Sequence, residues 1–179
     1  MWAWAGGPLG VWTHRTINTL DAMIGHRNQR YQQFGWAAAK TDDIANWLPA
    51  RLTVLAIAAA KATLPTTSLP NSSIKPNQLL RKKVSDTRHI IQTAIHHGRH
   101  HPSPNGGRVE AAFAASLGIT LGGTNVYNNT VEHRSQLGFG PPPSHYHITQ
   151  AVTLARRTVV IACIGPAIGI TIVNWLRRK

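Results

Sequence analysis

The stretch that decides the fold reads Arg156-Arg157-Thr158-Val159-Val160-Ile161-Ala162-Cys163-Ile164-Gly165-Pro166-Ala167-Ile168-Gly169-Ile170-Thr171-Ile172-Val173-Asn174-Trp175-Leu176-Arg177-Arg178-Lys179. Between the two arginines and the final three cations, residues 158–176 carry no charge. As a helix they would be about 28 Å long, close to the hydrocarbon core of a bilayer. Trp175 stands where an interfacial aromatic belongs. Gly165, Pro166 and Gly169 are tolerated in membrane helices. The competing reading is a buried core helix of a soluble protein. The unbroken lack of charge and the flanking cations favour a membrane span over 158–176.

Outward from this stretch, Ile148, Val152 and Ala155 mark one face of a short helix. Residues 128–146 read as a loop ending in Gly140-Pro141-Pro142-Pro143. From Leu79 to about His97, Leu80, Val84, Ile91 and Ile95 form the apolar face of an amphipathic helix, with Arg81, Lys82, Lys83 and Arg88 outside it. Residues 62–78 are rich in Pro, Ser, Thr and Asn and predict a flexible connection. The 44–60 segment is apolar but contains Pro49 and Arg51, which makes it marginal as a span. It reads as a re-entrant or buried helix. In 13–43, Ile17, Leu20 and Ile24 predict a helix to about Ile24. Turns are expected near Gly25 and Gly35, and another helix from about Asp42. Residues 1–12 are apolar, with no basic leader before them, and read as the end of a longer membrane helix. The expected fold is all-α: one domain over 1–179, a multi-helix integral membrane protein with polar loops carrying the site.

The net charge is +13, with six acids: Asp21, Asp42, Asp43, Asp86, Glu110 and Glu132. Such a balance implies an anionic partner: nucleic acid, lipid headgroups or a phosphorylated substrate. The cations are spread among polar motifs or flank apolar runs. A nucleic-acid binder would interleave clustered cations with aromatics, so that reading is disfavoured. The single cysteine, Cys163, excludes a disulfide within the chain and reads as a packing residue.

The polar centre of the chain is His96-His97-Gly98-Arg99-His100-His101-Pro102-Ser103-Pro104-Asn105-Gly106-Gly107-Arg108-Val109-Glu110. Pro102 and Pro104 fix two backbone angles, and the glycine pair admits close approach. A short Ala-rich helix is expected from about Val109, with Glu110 in its first turn, where the helix dipole favours an acid. The histidines have metal-like spacing but no acid or Cys beside them, which favours a solvated basic surface.

Read together, these motifs resemble a family. They are Asn18-Thr19-Leu20-Asp21, Arg27-Asn28-Gln29-Arg30-Tyr31, Asp42-Asp43-Ile44-Ala45-Asn46-Trp47, His101-Pro102-Ser103-Pro104-Asn105-Gly106-Gly107, Glu110-Ala111-Ala112 and Gly122-Gly123-Thr124-Asn125-Val126-Tyr127. In this order they are similar to the CobD/CbiB family, the adenosylcobinamide-phosphate synthases of cobalamin biosynthesis. The resemblance runs from about Pro8 onward. It differs in three ways. Family members carry further N-terminal membrane helices with an acidic Glu-Asn-Ser/Thr-Asp-Gly-like motif, the 62–78 stretch is longer and more polar here, and Arg108 and Thr124 replace residues that are commonly aromatic or Pro.

The resemblance implies a multi-pass enzyme of the cell membrane, its site facing the cytoplasm. It would join adenosylcobyric acid to aminopropanol or its phosphate, using ATP and Mg²⁺. Its partners would be the corrinoid, the amine and membrane lipid, and no nucleic acid. An inactive truncated product and a basic membrane-surface or nucleic-acid module are the alternatives. Amide formation of this kind needs a metal against phosphate charge, cations, a base and oxyanion donors. His101, Asn105 and Asp21 are the expected catalytic residues, with His101 as base and Asn105 as oxyanion donor. Asp42 and Asp43 are candidates for metal, and equally for helix capping beside Thr41. Arg15, Arg27, Arg30 and Arg51 suit phosphate or carboxylate. Arg51 alternatively forms a structural ion pair with Asp42 or Asp43. Asn125 and Tyr127 line the pocket, or serve the turn and packing. A simple span over 44–60 would place Asp21 and Asp42 across the membrane from His101 and Asn105, which is why a re-entrant or buried segment is expected there.

Overall fold

The structure, a computed structural model, describes residues 1–25, 32–64, 76–127 and 130–176. It is predominantly helical, as expected: α1 Trp2–Ile24, α2 Gln32–Thr63, α3 Pro76–His97, α4 Gly106–Leu117 and α5 His145–Leu176. The exception is an antiparallel hairpin of β1 Thr120–Tyr127 and β2 Thr130–Gly138. The chain divides into two compact units, Met1–Ala50 and Arg51–Lys179, with the division falling inside α2.

In the first unit, α1 is kinked at Gly6 and Gly7, just before Pro8. It ends at Ile24, where the periodicity predicts, and the Gly25 N–H donates to Asp21 O at 2.7 Å. Trp2 stacks on His14 at 5.6 Å, and His14 Nε2 donates to Asn46 Oδ1 at 2.9 Å. These contacts join α1 to the first part of α2.

The helix expected from about Asp42 begins at Gln32 instead, and Gly35 lies inside it. Thr41 Oγ1 donates to Ala37 O at 2.8 Å, the back-bond of a residue inside a helix. Asp42 and Asp43 are therefore mid-helix, and the capping role considered for them does not apply. The helix continues through Pro49.

In the second unit, Val54, Ile57, Ala58 and Ala60 of α2 pack with Ile90 and Ala94 of α3, Ala112 of α4 and Leu154 of α5. Small residues let the four helices approach closely. Each large side chain buried here, such as Ile57, stabilises the fold by about 1.5–3 kcal/mol. Arg157 of α5 donates to Thr63 O at 3.2 Å and Thr63 Oγ1 at 3.3 Å. A cation at the end of α2 satisfies an orphan carbonyl and meets the negative end of the helix dipole.

Of the connection expected over 62–78, residues 65–75 lie outside the described residues. α3 starts at Pro76, three residues early, and proline suits a first helical position. α4 likewise starts at Gly106 rather than near Val109, which moves Glu110 out of the first turn and removes the dipole argument made for it.

Residues 130–138, expected as part of a loop, form β2. The reason for the miss is chemical: Thr130-Val131-Glu132-His133-Arg134-Ser135-Gln136 has no apolar alternation. The register slips between Leu121 and Gly123. There Gly122 has a φ of +85°, and a Cβ on it would collide with the Ser135 carbonyl, so the bulge requires glycine.

The short helix over 148–155 and the span over 158–176 are one continuous α5. Among the described residues, α5 is the helix long and apolar enough to cross a membrane. The segment that meets this test, His145–Gly165, includes Arg156 and Arg157, whereas the charge-free run starts at Thr158. Charge is the costlier term in a bilayer, so the run from Thr158 is the better span.

Candidate functional site

α3 ends at His97 and one 3₁₀ turn, Gly98–His100, leads to an extended His101. The chain then enters α4 through Asn105. Two close approaches shape this turn. A Cβ on Gly98 would stand 2.8 Å from the Arg108 backbone, and a Cβ on Gly107 would collide with the His101 side chain. Glycine at both positions lets the turn fold flat onto the start of α4.

Ser103 ties the turn together. Its carbonyl accepts from the Gly107 N–H at 3.1 Å, and its Oγ accepts from the Gly106 N–H at 3.0 Å. Its own N–H donates to His101 Nδ1 at 3.1 Å. Ser103 O also lies 3.2 Å from that nitrogen, but the Ser103 N–H can only donate and needs the ring nitrogen as its acceptor. A neutral His101 ring thus accepts at Nδ1 and keeps its proton on Nε2. That Nε2 faces Glu110 Oε2 at 3.6 Å.

Arg51 reaches this turn from α2, its Nη1 donating to Asn105 Oδ1 at 3.4 Å. Asn105 is only 7 % exposed. Burial first, and then the charge of Arg108, lower the Arg51 pKa below the usual arginine value. Two guanidinium groups are thus close enough to repel one another, and one of them is bonded to a buried amide. The pair is a candidate anion site, since phosphate or carboxylate matches the fork of an arginine and offsets like-charge repulsion.

The hairpin is tied to the same turn. His97 Nδ1 accepts from the Gly138 N–H at 3.2 Å, and its ring meets Phe139 edge-on at 4.4 Å. Ser135 Oγ donates to His100 O at 2.8 Å. His97 is thus a structural anchor, where a solvated histidine was expected. Among the described residues no group of three or more His, Cys, Asp or Glu is placed to hold a metal.

The acids lie in the first unit. Asn18 Nδ2 donates to Asp42 Oδ1 at 3.4 Å. Asn18 and Asp21 are three apart on α1 and share a face. Asp42 and Asp43 are adjacent on α2 and point about 100° apart, so they do not face one ion from a regular helix. Asn18 thus brings Asp42 to the face of α1 that also carries Asp21.

Of the residues expected in the site, the structure brings together Arg51, His101 and Asn105. Arg27 and Arg30 lie outside the described residues. Asn125 and Tyr127 stand opposite Glu132 and Thr130 in the hairpin register. The side chains of Asn125 and Tyr127 lie outside the described residues. Sequence reasoning missed Ser103 and Arg108 as members. The one available signal was Arg108 standing where a resembling family commonly has an aromatic residue or proline.

Comparison with known proteins agrees with the motifs. A family model described as CobD/Cbib protein matches residues 1–155. The chain is 39 % identical over 156 residues to the cobalamin biosynthesis protein CobD of Mycobacterium tuberculosis, covering 87 % of this chain and 44 % of that protein. It is 43 % identical over 122 residues to the protein of that name from Geobacter metallireducens, covering 68 % and 32 %. With the Rhodobacter capsulatus protein it shares 33 % over 175 residues, covering 97 % and 48 %. The chain therefore spans less than half the length of these relatives. No solved structure matches it.

Proposed function

Because the chain belongs to the CobD/CbiB family, we propose that it acts in cobalamin biosynthesis, in ATP-dependent amide formation between adenosylcobyric acid and aminopropanol or its phosphate. The observation that supports this reading is the junction of Arg51, Asn105 and Arg108 at the Gly98–Gly107 turn. In this chemistry adenosylcobyric acid carries carboxylate, ATP carries phosphate, and the tetrahedral intermediate carries an oxyanion. Arg51 and Arg108 hold such an anion. Asn105, whose oxygen accepts from Arg51, is the proposed oxyanion donor.

The tautomer of His101 redistributes the roles. With Nδ1 engaged by the Ser103 amide, His101 presents a donor rather than a free lone pair. We assign the base to the Glu110 carboxylate, with His101 positioning it. Asp42 and Asp21 would hold Mg²⁺, which supplies neutralisation of phosphate charge when bound. Asp43, Arg27, Arg30, Asn125 and Tyr127 are proposed to contact substrate. A multi-pass location in the cell membrane, with the site facing the cytoplasm, belongs to the same proposal.

The test is complementation. The chain is expressed in a bacterium lacking its own cobinamide-phosphate synthase and supplied with adenosylcobyric acid, with cobinamide as control. Growth on both, lost in Arg51→Gln on adenosylcobyric acid alone, is expected. Growth on cobinamide only, with the chain present in the membrane fraction, overturns the view that these residues suffice for the chemistry.

A further inference from the structure

On α3, Leu80, Val84, Thr87 and Ile91 follow one another at helical spacing and fall within about 60° of arc. They line a groove of about 530 Å³ that also takes in Ala62 at the end of α2. That is the size of a small-ligand site, roughly 300–1,000 Å³. Leu80 is 64 % exposed and Val84 61 % exposed, so this apolar stripe faces outward.

Lys83 and Arg88 also line the groove. By helical geometry they stand about 70° to either side of the stripe. Arg81 and Lys82 continue the basic face beyond it. An apolar stripe edged on both sides by long cations is the pattern of a helix lying in a lipid headgroup layer. The cations keep their stems on apolar surface and their charges in the polar zone.

The position of the groove agrees. Arg157 of α5 is bonded to Thr63, the neighbour of Ala62. The charge-free run of α5 begins one residue after Arg157, at Thr158. With that run in the bilayer, Arg157 stands at headgroup level, and so does the groove wall at Ala62.

We propose that this groove binds an anionic phospholipid, with an acyl chain along Leu80, Val84 and Ile91 and the phosphate between Lys83 and Arg88. The inference rests on charge complementarity and on the place of α5, not on the corrinoid chemistry.

The test is native mass spectrometry of the full chain extracted from nanodiscs of phosphatidylcholine and phosphatidylglycerol. Wild type should retain phosphatidylglycerol in preference to phosphatidylcholine. Lys83→Gln with Arg88→Gln should lower that retention roughly thirtyfold, about fivefold for each cation near an anionic surface. Lys82→Gln removes a cation on the far side of the helix, about 170° from the stripe, and should leave retention unchanged. Far-ultraviolet circular dichroism checks that both variants stay helical. Equal retention of the two lipids, or as large a loss in Lys82→Gln as in the double variant, overturns the proposal. So does self-association through a cysteine placed at Val84 with no lipid retained, which would make the face an interface between copies.

Discussion

At the scale of the residue, Arg51 carries the argument. Folding lowers its pKa, so the folded state disfavours its charged form. For a base with a depressed pKa, this penalty is present wherever the group is charged in both states. It fades only as pH rises through the lowered pKa toward the ordinary value. Near neutrality a bound anion, rather than a change of pH, is what relieves it. Inorganic phosphate at ten times its Kd should therefore stabilise the protein by about 1.4 kcal/mol. In a chain of this size that raises the Tm by about 3–6 °C. A thermal-shift titration should show this rise in wild type and its loss in Arg51→Gln and in Arg108→Gln. Gly107 makes the complementary case, since its role is steric. Gly107→Ala forces the new methyl against His101. Denaturant unfolding should show a loss of about 1–3 kcal/mol, the usual cost of overpacking.

At the scale of the element, two hydrogen bonds tie the hairpin to the turn after α3. His97 accepts the Gly138 N–H, and the Ser135 hydroxyl donates to His100 O. Each such bond contributes about 0.5–1.5 kcal/mol. His97→Ala should speed amide exchange across 120–138 while leaving protection in α3 and α4 unchanged. Uniform deprotection of all three elements would show that the hairpin is part of the core. The exposed polar face of β2 makes the first outcome the expected one.

At the scale of the whole molecule, α5 is the helix, among the described residues, long and apolar enough to cross a membrane. Cys163 is the chain's single cysteine and is exposed on this helix. It lies five residues beyond Thr158, about 7.5 Å into the charge-free run. In sealed vesicles a charged maleimide should leave it unmodified, whereas detergent should permit full reaction. Rapid labelling in intact vesicles would show that α5 does not enter the bilayer.

Some of this was determined by the sequence by itself. The helical content follows from apolar periodicity, as with Ile17, Leu20 and Ile24 on an α1 that ends at Ile24. The family follows from motifs in a fixed order, and the apolarity of α5 from composition. These are local properties, readable wherever neighbours along the chain decide the outcome. Element starts were less legible: Thr41-Asp42 looks like a cap, yet packing carries α2 back to Gln32. β2 has no local signature, because its pairing is main-chain and its anchors come from His97 and His100. The meeting of Arg51 with Asn105 and Arg108, and the tautomer of His101, were decided by the tertiary structure alone. Arg51 and Asn105 stand 54 positions apart. Only packing α2 against the Gly98–Gly107 turn brings their polar atoms within bonding distance, and no spacing along the chain encodes that.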